Sequence, residues 1–513
     1  MSNGRRSAGA HTRTARWLAA LGLVLCALAA GPAGGPSPAG VAAQSDDYDW
    51  QPPINLSNSA ASSSYPAIVA DGHGFVHVFW SEEVDGESIL DVPQALVHNG
   101  NTIYYTRWDG EDWSEPVDIL FVPGDPIADY ISAAVDRQNG LHLVWTGQDS
   151  FYYSTAPAHL AQQPQSWSTP VVVATGSARS MWESSIAAAE PGQVHVAYAT
   201  RGPDAGIFYV ASTDGGRNWG APVQLSWPLE RLEKGYMHVK LVLGPDGVLH
   251  CVWGTYEKDG YGQAVYYARS ADGGGQWSEA QQMGNREAEE YGVLYAYVAA
   301  LPSGETHIVY IDGPWHIGRW HRVSPDAGLT WSEPSQILDS LEGVNGYTLL
   351  VVDGLEQVHL VVTMRTREQV GGLFHSKWLG TAWSPVTLEI PDRPETGPGA
   401  HWTAVTIRLG NELHVVWNTN FSSQAGEIWY SRASIPGVPA QSPKPTPAPS
   451  PTVGAAAPVA PSPTPPPTPA WVGPAPAAST QLPEYLPLLA AAVGSLAVVV
   501  GTIIVSRLMK ARR

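Results

Sequence analysis

One short pattern of apolar and polar positions recurs along the chain: an apolar residue or threonine, a histidine, two more mostly apolar residues and an aromatic or branched one. It reads FVHVFW at 75–80, LHLVW at 141–145, VHVAY at 194–198, LHCVW at 249–253, THIVY at 306–310, VHLVV at 358–362 and LHVVW at 413–417. Runs this rich in β-branched and aromatic residues, bounded by glycine, proline and aspartate, predict strands. Each is followed by a second such run, at 103–107, 151–155, 207–212, 265–270, 317–323, 373–378 and 428–432. Six repeats continue into a third segment opened by a tryptophan (Trp113, Trp167, Trp219, Trp277, Trp331, Trp383), whereas the seventh has none. The segment WQPPINL at 50–56 has the missing pattern and belongs to no other repeat. The prediction is an all-β, seven-bladed β-propeller over residues 48–435, closed when the N-terminal strand becomes the outer strand of the last blade. Closure removes the open sheet edge at the seam.

The turns between the second and third runs carry a further repeat. VYYARSADGGGQWSEAQQM at 265–283 is two strands and a turn, and its octet Ser270–Asp272–Gly274–Trp277 fits Ser-x-Asp-x-Gly-x-x-Trp. So do Ser212–Asp214–Gly216–Trp219 and Ser324–Asp326–Gly328–Trp331. SKWLGTAW at 376–383 reads as the same octet with Trp378 in the place of the aspartate, and WDGEDW at 108–113 as a shortened relative. These octets resemble the Asp boxes, or bacterial neuraminidase repeats, of the sialidase superfamily. The resemblance spans roughly residues 50–432 and implies a structural role for the boxes, on the propeller face away from the active site. It also implies, for an active sialidase, three arginines, a Tyr–Glu pair and an Asp. The first of those arginines belongs to an Arg-Ile-Pro motif, and here that place reads SSYPAIV at 63–69, with Pro66 but no arginine. Arg179, Arg231, Arg286, Arg365, Arg367 and Arg393 lie in the more variable loops.

Turns between the first and second strands of a repeat (70–74, 243–247) are short and glycine-rich, whereas connections such as 81–101, 226–235 and 284–292 are long and varied. Function is expected on the variable face, around the mouth of the central channel. Counting back twelve positions from each repeat histidine reaches Tyr65, Tyr130, Glu183, His238, Tyr295, Tyr347 and Trp402. Five of the seven are aromatic, and with Trp182, Tyr236 and Tyr291 they are expected to line the mouth as a ligand-binding ring or to pack the narrow ends of the blades. Aromatic faces beside polar groups suit sugar rings. Glu183 and His238, on neighbouring blades, are the candidate catalytic pair, with the Glu183 carboxyl expected to be raised in pKa beside Trp182. The repeat histidines, His77 to His414, occupy one position on seven separate blades, so they are expected to be structural, each bonded to backbone, with no metal site. No cofactor is implied.

Residues 1–43, with four arginines ahead of an apolar run, read as an export signal. Residues 436–484, rich in Pro, Ala, Ser and Thr, read as a disordered stalk, 486–506 as a single transmembrane helix and 507–513 as a basic cytoplasmic tail. The expectation is an exported propeller held at the cell membrane. The formal charge of −19 makes nucleic acid an unsuitable partner. Once the signal is removed Cys251 stands alone, which rules out an intrachain disulfide. The function readings are recognition of an extracellular glycan or glycoconjugate, exo-acting glycoside hydrolysis, or a protein-interaction platform of the envelope. Oligomeric state is not legible.

Overall fold

The computed structural model describes residues 48–446, apart from 84–99, 177–180, 203–204, 228–234, 257–261, 286–292, 313–317, 339–342, 345, 367–370, 392–401 and 420–425. The signal, most of the stalk, the membrane helix and the tail expected from the sequence lie outside these residues, as do Tyr291 and the arginines 179, 231, 286, 367 and 393; the side chain of Arg365 is likewise not described.

Seven antiparallel sheets are present among the described residues, six of them ordered from inside to outside as the chain runs. Blade 1 comprises Ser63–Ala70, Val76–Glu82, Thr102–Trp108 and Val117–Phe121. The inner strands of the next four blades are Asp129–Val135, Met181–Ala188, Gly235–Leu243 and Leu294–Ala300. In blade 6 the inner strand is interrupted, Gly343–Val344 and Thr348–Val352 both pairing with Val358–Thr366. Blade 7 takes Thr403–Arg408, Glu412–Thr419 and Glu427–Ser434 from the end of the chain and Ile54–Asn55 from its beginning, with Ile54 opposite Tyr430 and Asn55 opposite Trp429. The N-terminal closure expected from the sequence is therefore observed, although its ladder is only those two pairs, helped by a bridge from Trp50 to Ala433.

The core lies between blades, where the second strands contribute Trp80, Trp145, Trp253 and Trp417, all with no exposed surface. Each repeat histidine is buried and joined to side chains, not to backbone as the sequence suggested. Nδ1 of His77, His142, His195, His250 and His414 stands 2.6–2.8 Å from a tyrosine hydroxyl on the third strand. In blades 5 and 6 a second histidine takes the tyrosine's place, at 2.9 Å for His307–His321 and 3.0 Å for His359–His375. Among the described residues no cluster of acids, histidines and cysteines could hold a metal.

The Asp boxes continue this chain of contacts into the next blade. In the box of blade 4, the Ser270 hydroxyl donates to Asp272 (2.8 Å) and accepts the Gly274 amide (2.9 Å), while Asp272 accepts the Gln276 amide (2.9 Å). Gly274 has φ 94°, and a Cβ there would lie 1.9 Å from the hydroxyl oxygen of Tyr209 in blade 3. Tyr209 in turn donates to the Gly273 carbonyl (3.1 Å), and Trp277 meets its ring edge-on at 4.9 Å. Blade 2 with the box of blade 3 repeats the arrangement through Tyr153, Gly216 and Trp219. The boxes are thus inter-blade latches.

Two details differ from the sequence reading. The tryptophans close the turn, and the outer strands start a few residues later, at Gln281 after Trp277 and at Val117 after Trp113. The octet at 376–383 is not a box with a substituted aspartate. The Trp378 amide donates to the Val358 carbonyl, the place that Ser212 occupies opposite Val194, so Trp378 stands at the serine position of a turn two residues shorter. Trp108, opposite Val76 and bridged to Trp113, is its counterpart, just as Trp378 is bridged to Trp383.

Candidate functional site

The inner strands bring one residue from each blade to the same depth of the channel. In blades 1, 2, 4 and 5 the ladder shifts register there, placing two residues opposite one: Tyr65–Pro66, Tyr130–Ile131, His238–Val239 and Tyr295–Ala296. The first residue of each bulge is left-handed, with φ of 53° at Tyr65, 50° at Tyr130, 55° at His238 and 52° at Tyr295. A left-handed aromatic residue costs about 1–3 kcal/mol, and strain repeated in four blades marks a place where side-chain direction matters more than backbone comfort. In blade 3 the bulge starts one residue earlier on the inner strand, at Trp182–Glu183, and Glu183 is not left-handed. Trp402 immediately precedes the inner strand of blade 7, and Tyr347 sits in the interruption of blade 6.

These side chains form a collar. Tyr65, Tyr130 and Trp402 touch one another with ring centroids 4.5–5.2 Å apart; Trp402 then meets Tyr347 at 5.5 Å, Tyr347 meets Tyr295 at 5.3 Å, and Tyr295 meets His238 at 4.0 Å. From His238 the collar passes to Glu183, whose Oε1 is 3.2 Å from Nδ1. That approach is off the hydrogen-bonding direction, and Oε1 has no hydrogen-bond donor among the described residues although Glu183 is only 4% exposed. A cavity of about 350 Å³ runs along the channel, lined by Tyr65, Tyr130, Glu183, Tyr347 and Trp402 at the collar and by Lys240 and Tyr297 two residues further along their strands.

Electrostatics correct one expectation. Burial pushes the Glu183 carboxyl upward, but His238, with Lys240 beyond it, outweighs burial and holds the group below the usual carboxylate range. Glu183 is therefore an ionised group and not a raised-pKa acid. Lys240, whose ammonium lies 5.3 Å from the Tyr297 ring centroid, is shifted down by burial and up by Tyr297 and Glu183, with the upward shift prevailing.

Of the ten residues expected to line the mouth, Tyr291 lies outside the described residues; Tyr65, Tyr130, Glu183, Tyr347 and Trp402 line the cavity, and Tyr295 and His238 complete the collar behind them. Trp182 stands beside the collar with its ring near Tyr256 (5.7 Å) and under the guanidinium of Arg201. Tyr236 does not belong: it has no exposed surface, packs in the core between blades 3 and 4, and donates its hydroxyl hydrogen to the Trp227 carbonyl. His238 is the left-handed first residue of a bulge, so the alternation that would put Tyr236 on its side is broken there and Tyr236 is turned into the blade.

Sequence reasoning missed Lys240, Arg201 and Asp129. Lys240 follows the His238–Val239 bulge directly and lines the cavity. Arg201 directly follows the second strand of blade 3, close enough to Glu183 for its charge to act on it, and its buried Nε has no hydrogen-bond partner among the described residues. Asp129 precedes Tyr130, is 5% exposed and has its carboxyl pushed well up by burial, but it does not line the cavity.

Comparison with known proteins bears on fold. Residues 154–395 match the family model described as a BNR repeat-like domain. No curated protein matches the chain significantly. Among solved structures, a polysaccharide lyase, an ulvan lyase bound to -[GlcA(1-4)Rha3S]-, aligns with a TM-score of 0.51 at 11% identity, over 74% of this chain and 95% of that one. A protein of unknown function from Dyadobacter fermentans aligns at 0.47 and 14% identity (75% and 98% covered), and a Hadza microbial sialidase at 0.42 and 14% identity (74% and 66% covered). The chain is a seven-bladed β-propeller whose residues 154–395 match a BNR repeat-like domain.

Proposed function

We propose that this protein recognises a glycan at the aromatic collar of its channel, holding it without cleaving it. The observation that carries this reading is the collar itself. Five aromatic side chains from five blades converge at one depth, four residues of the ring are held there by left-handed backbone, and a single ionised carboxylate with its cationic neighbours sits among them. Stacking surface beside a few fixed polar groups is what a pyranose ring requires. Hydrolysis by the common two-carboxylate route needs a second acid about 5–9.5 Å from the first. Among the described residues lining the cavity Glu183 is the one carboxylate. The ulvan lyase that shares the fold was solved with a saccharide bound, in keeping with a glycan ligand. With the apolar run and basic tail near the C-terminus, the reading becomes that of an exported, membrane-held glycan receptor.

A printed array of plant, algal and microbial glycans, probed with the full chain, tests this. Binding to a restricted set of glycans is the expected result, and binding to none overturns it. The competing reading, cleavage by Glu183 with His238, is favoured by their 3.2 Å contact and the open Oε1. Turnover of aryl glycosides that Glu183→Gln abolishes would replace the binding reading with that one.

A further inference from the structure

The first part of the expected stalk is not free of the propeller. The Ile435 amide donates to the Asn411 carbonyl (2.7 Å) and the Gln441 amide to the Leu409 carbonyl (2.8 Å), both in the short turn of blade 7. The Lys444 amide donates to the Gly72 carbonyl of blade 1 (2.7 Å), its ammonium to the Arg137 carbonyl of blade 2 (2.8 Å), and His73 Nδ1 stands 3.1 Å from the Lys444 carbonyl. A Cβ at Gly354 or Gly410 would come within 3.1 or 3.0 Å of the Gln441 side-chain nitrogen, so that side chain lies over the turns of blades 6 and 7. Gly72 keeps the Lys444 stem equally close, at 3.0 Å from a Cβ built there. Pro439, Pro443 and Pro445 hold this stretch extended and remove donors it would otherwise have to satisfy.

The turns beneath it are themselves bonded from blade to blade. Gly354 donates to the Gly410 carbonyl, Arg408 Nε to the Gly74 carbonyl, Gly72 to the Asn139 side chain, and Arg137 to the Ala189 carbonyl. The stretch therefore lies on a collar of turns running from blade 6 to blade 3 and crosses the place where the first and last blades meet.

We infer that residues 435–446 are a strap that closes the ring a second time and fixes where the following chain departs. The N-terminal closure rests on a ladder of two residue pairs, a weak lock for a ring of seven blades. Tension on the chain beyond residue 446 meets the bonds at Lys444 and Gln441 first and is spread over blades 2, 1 and 7 before it reaches the third strand of blade 7. Residues 441–446 lie on the short-turn face, at the other end of the inner strands from the aromatic collar.

The test uses hydrogen exchange and thermal melting on the full chain and on a full chain whose residues 436–446 are replaced by glycine and serine at equal length. In the native chain the amides of Gln441 and Lys444 should exchange at least about 100-fold more slowly than in a free peptide. In the replaced chain the melting temperature should fall by several degrees, and peptides covering 50–56 and 427–434 should exchange faster than in the native one. Free-peptide exchange at 441 and 444 in the native chain overturns the proposal, and so does unchanged exchange at the seam after replacement. Lys444→Ala alone should accelerate exchange at 444 without unfolding the ring, separating loss of the strap from failure to fold.

Discussion

The inter-blade latch makes a quantitative demand on two adjacent glycines. Gly273 and Gly274 both have left-handed φ, 73° and 94°, but a Cβ at Gly273 would meet nothing within 4 Å, whereas one at Gly274 would lie 1.9 Å from the Tyr209 hydroxyl oxygen. Gly273→Ala thus pays only for backbone strain, about 1 kcal/mol. Gly274→Ala adds overpacking of about 1–3 kcal/mol. Tyr209 must also move, losing its 2.7 Å contact with His195 and its 3.1 Å bond to the Gly273 carbonyl, at about 1 kcal/mol each. The predicted cost of Gly274→Ala is about 5 kcal/mol, roughly 4 kcal/mol more than its neighbour. Urea unfolding of the two variants, followed by tryptophan fluorescence and compared at one slope, measures the difference. Costs that agree within about 1 kcal/mol would refute the latch, because backbone strain would then explain both.

Two further outcomes follow from the electrostatics. Burial lowers His250 to about 4 and His321 to about 3, so below pH 6.5 the unfolded chain takes up protons that the folded chain refuses. Stability should rise with pH across that window; the melting temperature should fall steadily from pH 6.5 to 4, and a flat profile would contradict the neutral, buried histidines. Glu183→Gln leaves the Lys240 ammonium without its counter-charge in the channel and should destabilise the fold by about 3 kcal/mol in denaturant titration, an effect that Lys240→Met in the same chain should partly reverse.

What was legible in the sequence is what repeats. Seven histidine strands, their partners and the N-terminal complement gave the blades because each blade buries the same pattern. Counting from the histidines also found the collar, since the turn between first and second strands has one length in all seven blades. The register of Trp378 was not legible. A spacing of eight residues fits the Asp-box octet by coincidence, and only the ladder, with Trp378 bonded to Val358, shows the turn to be the shorter kind seen at Trp108. Tyr236 was misplaced for a related reason: the bulge that begins at His238 breaks the alternation that would put the two on one side. The direction of the Glu183 pKa depended on Lys240 and His238, whose approach belongs to no repeat, and Arg201 carries no motif at all. The repeating scaffold is readable, whereas the single-copy residues that distinguish one blade from another need the fold to bring them together.

Isothermal titration of an array-selected oligosaccharide against the full chain and against Trp402→Ala and Tyr236→Phe tests the central claim most directly. Trp402 touches three other rings of the collar and lines the cavity, so its removal should weaken binding at least about tenfold, a loss of about 1.4 kcal/mol. Tyr236→Phe, changed inside the blade, should leave affinity as it was. Binding that survives Trp402→Ala unchanged would place the ligand elsewhere on the propeller and contradict the account.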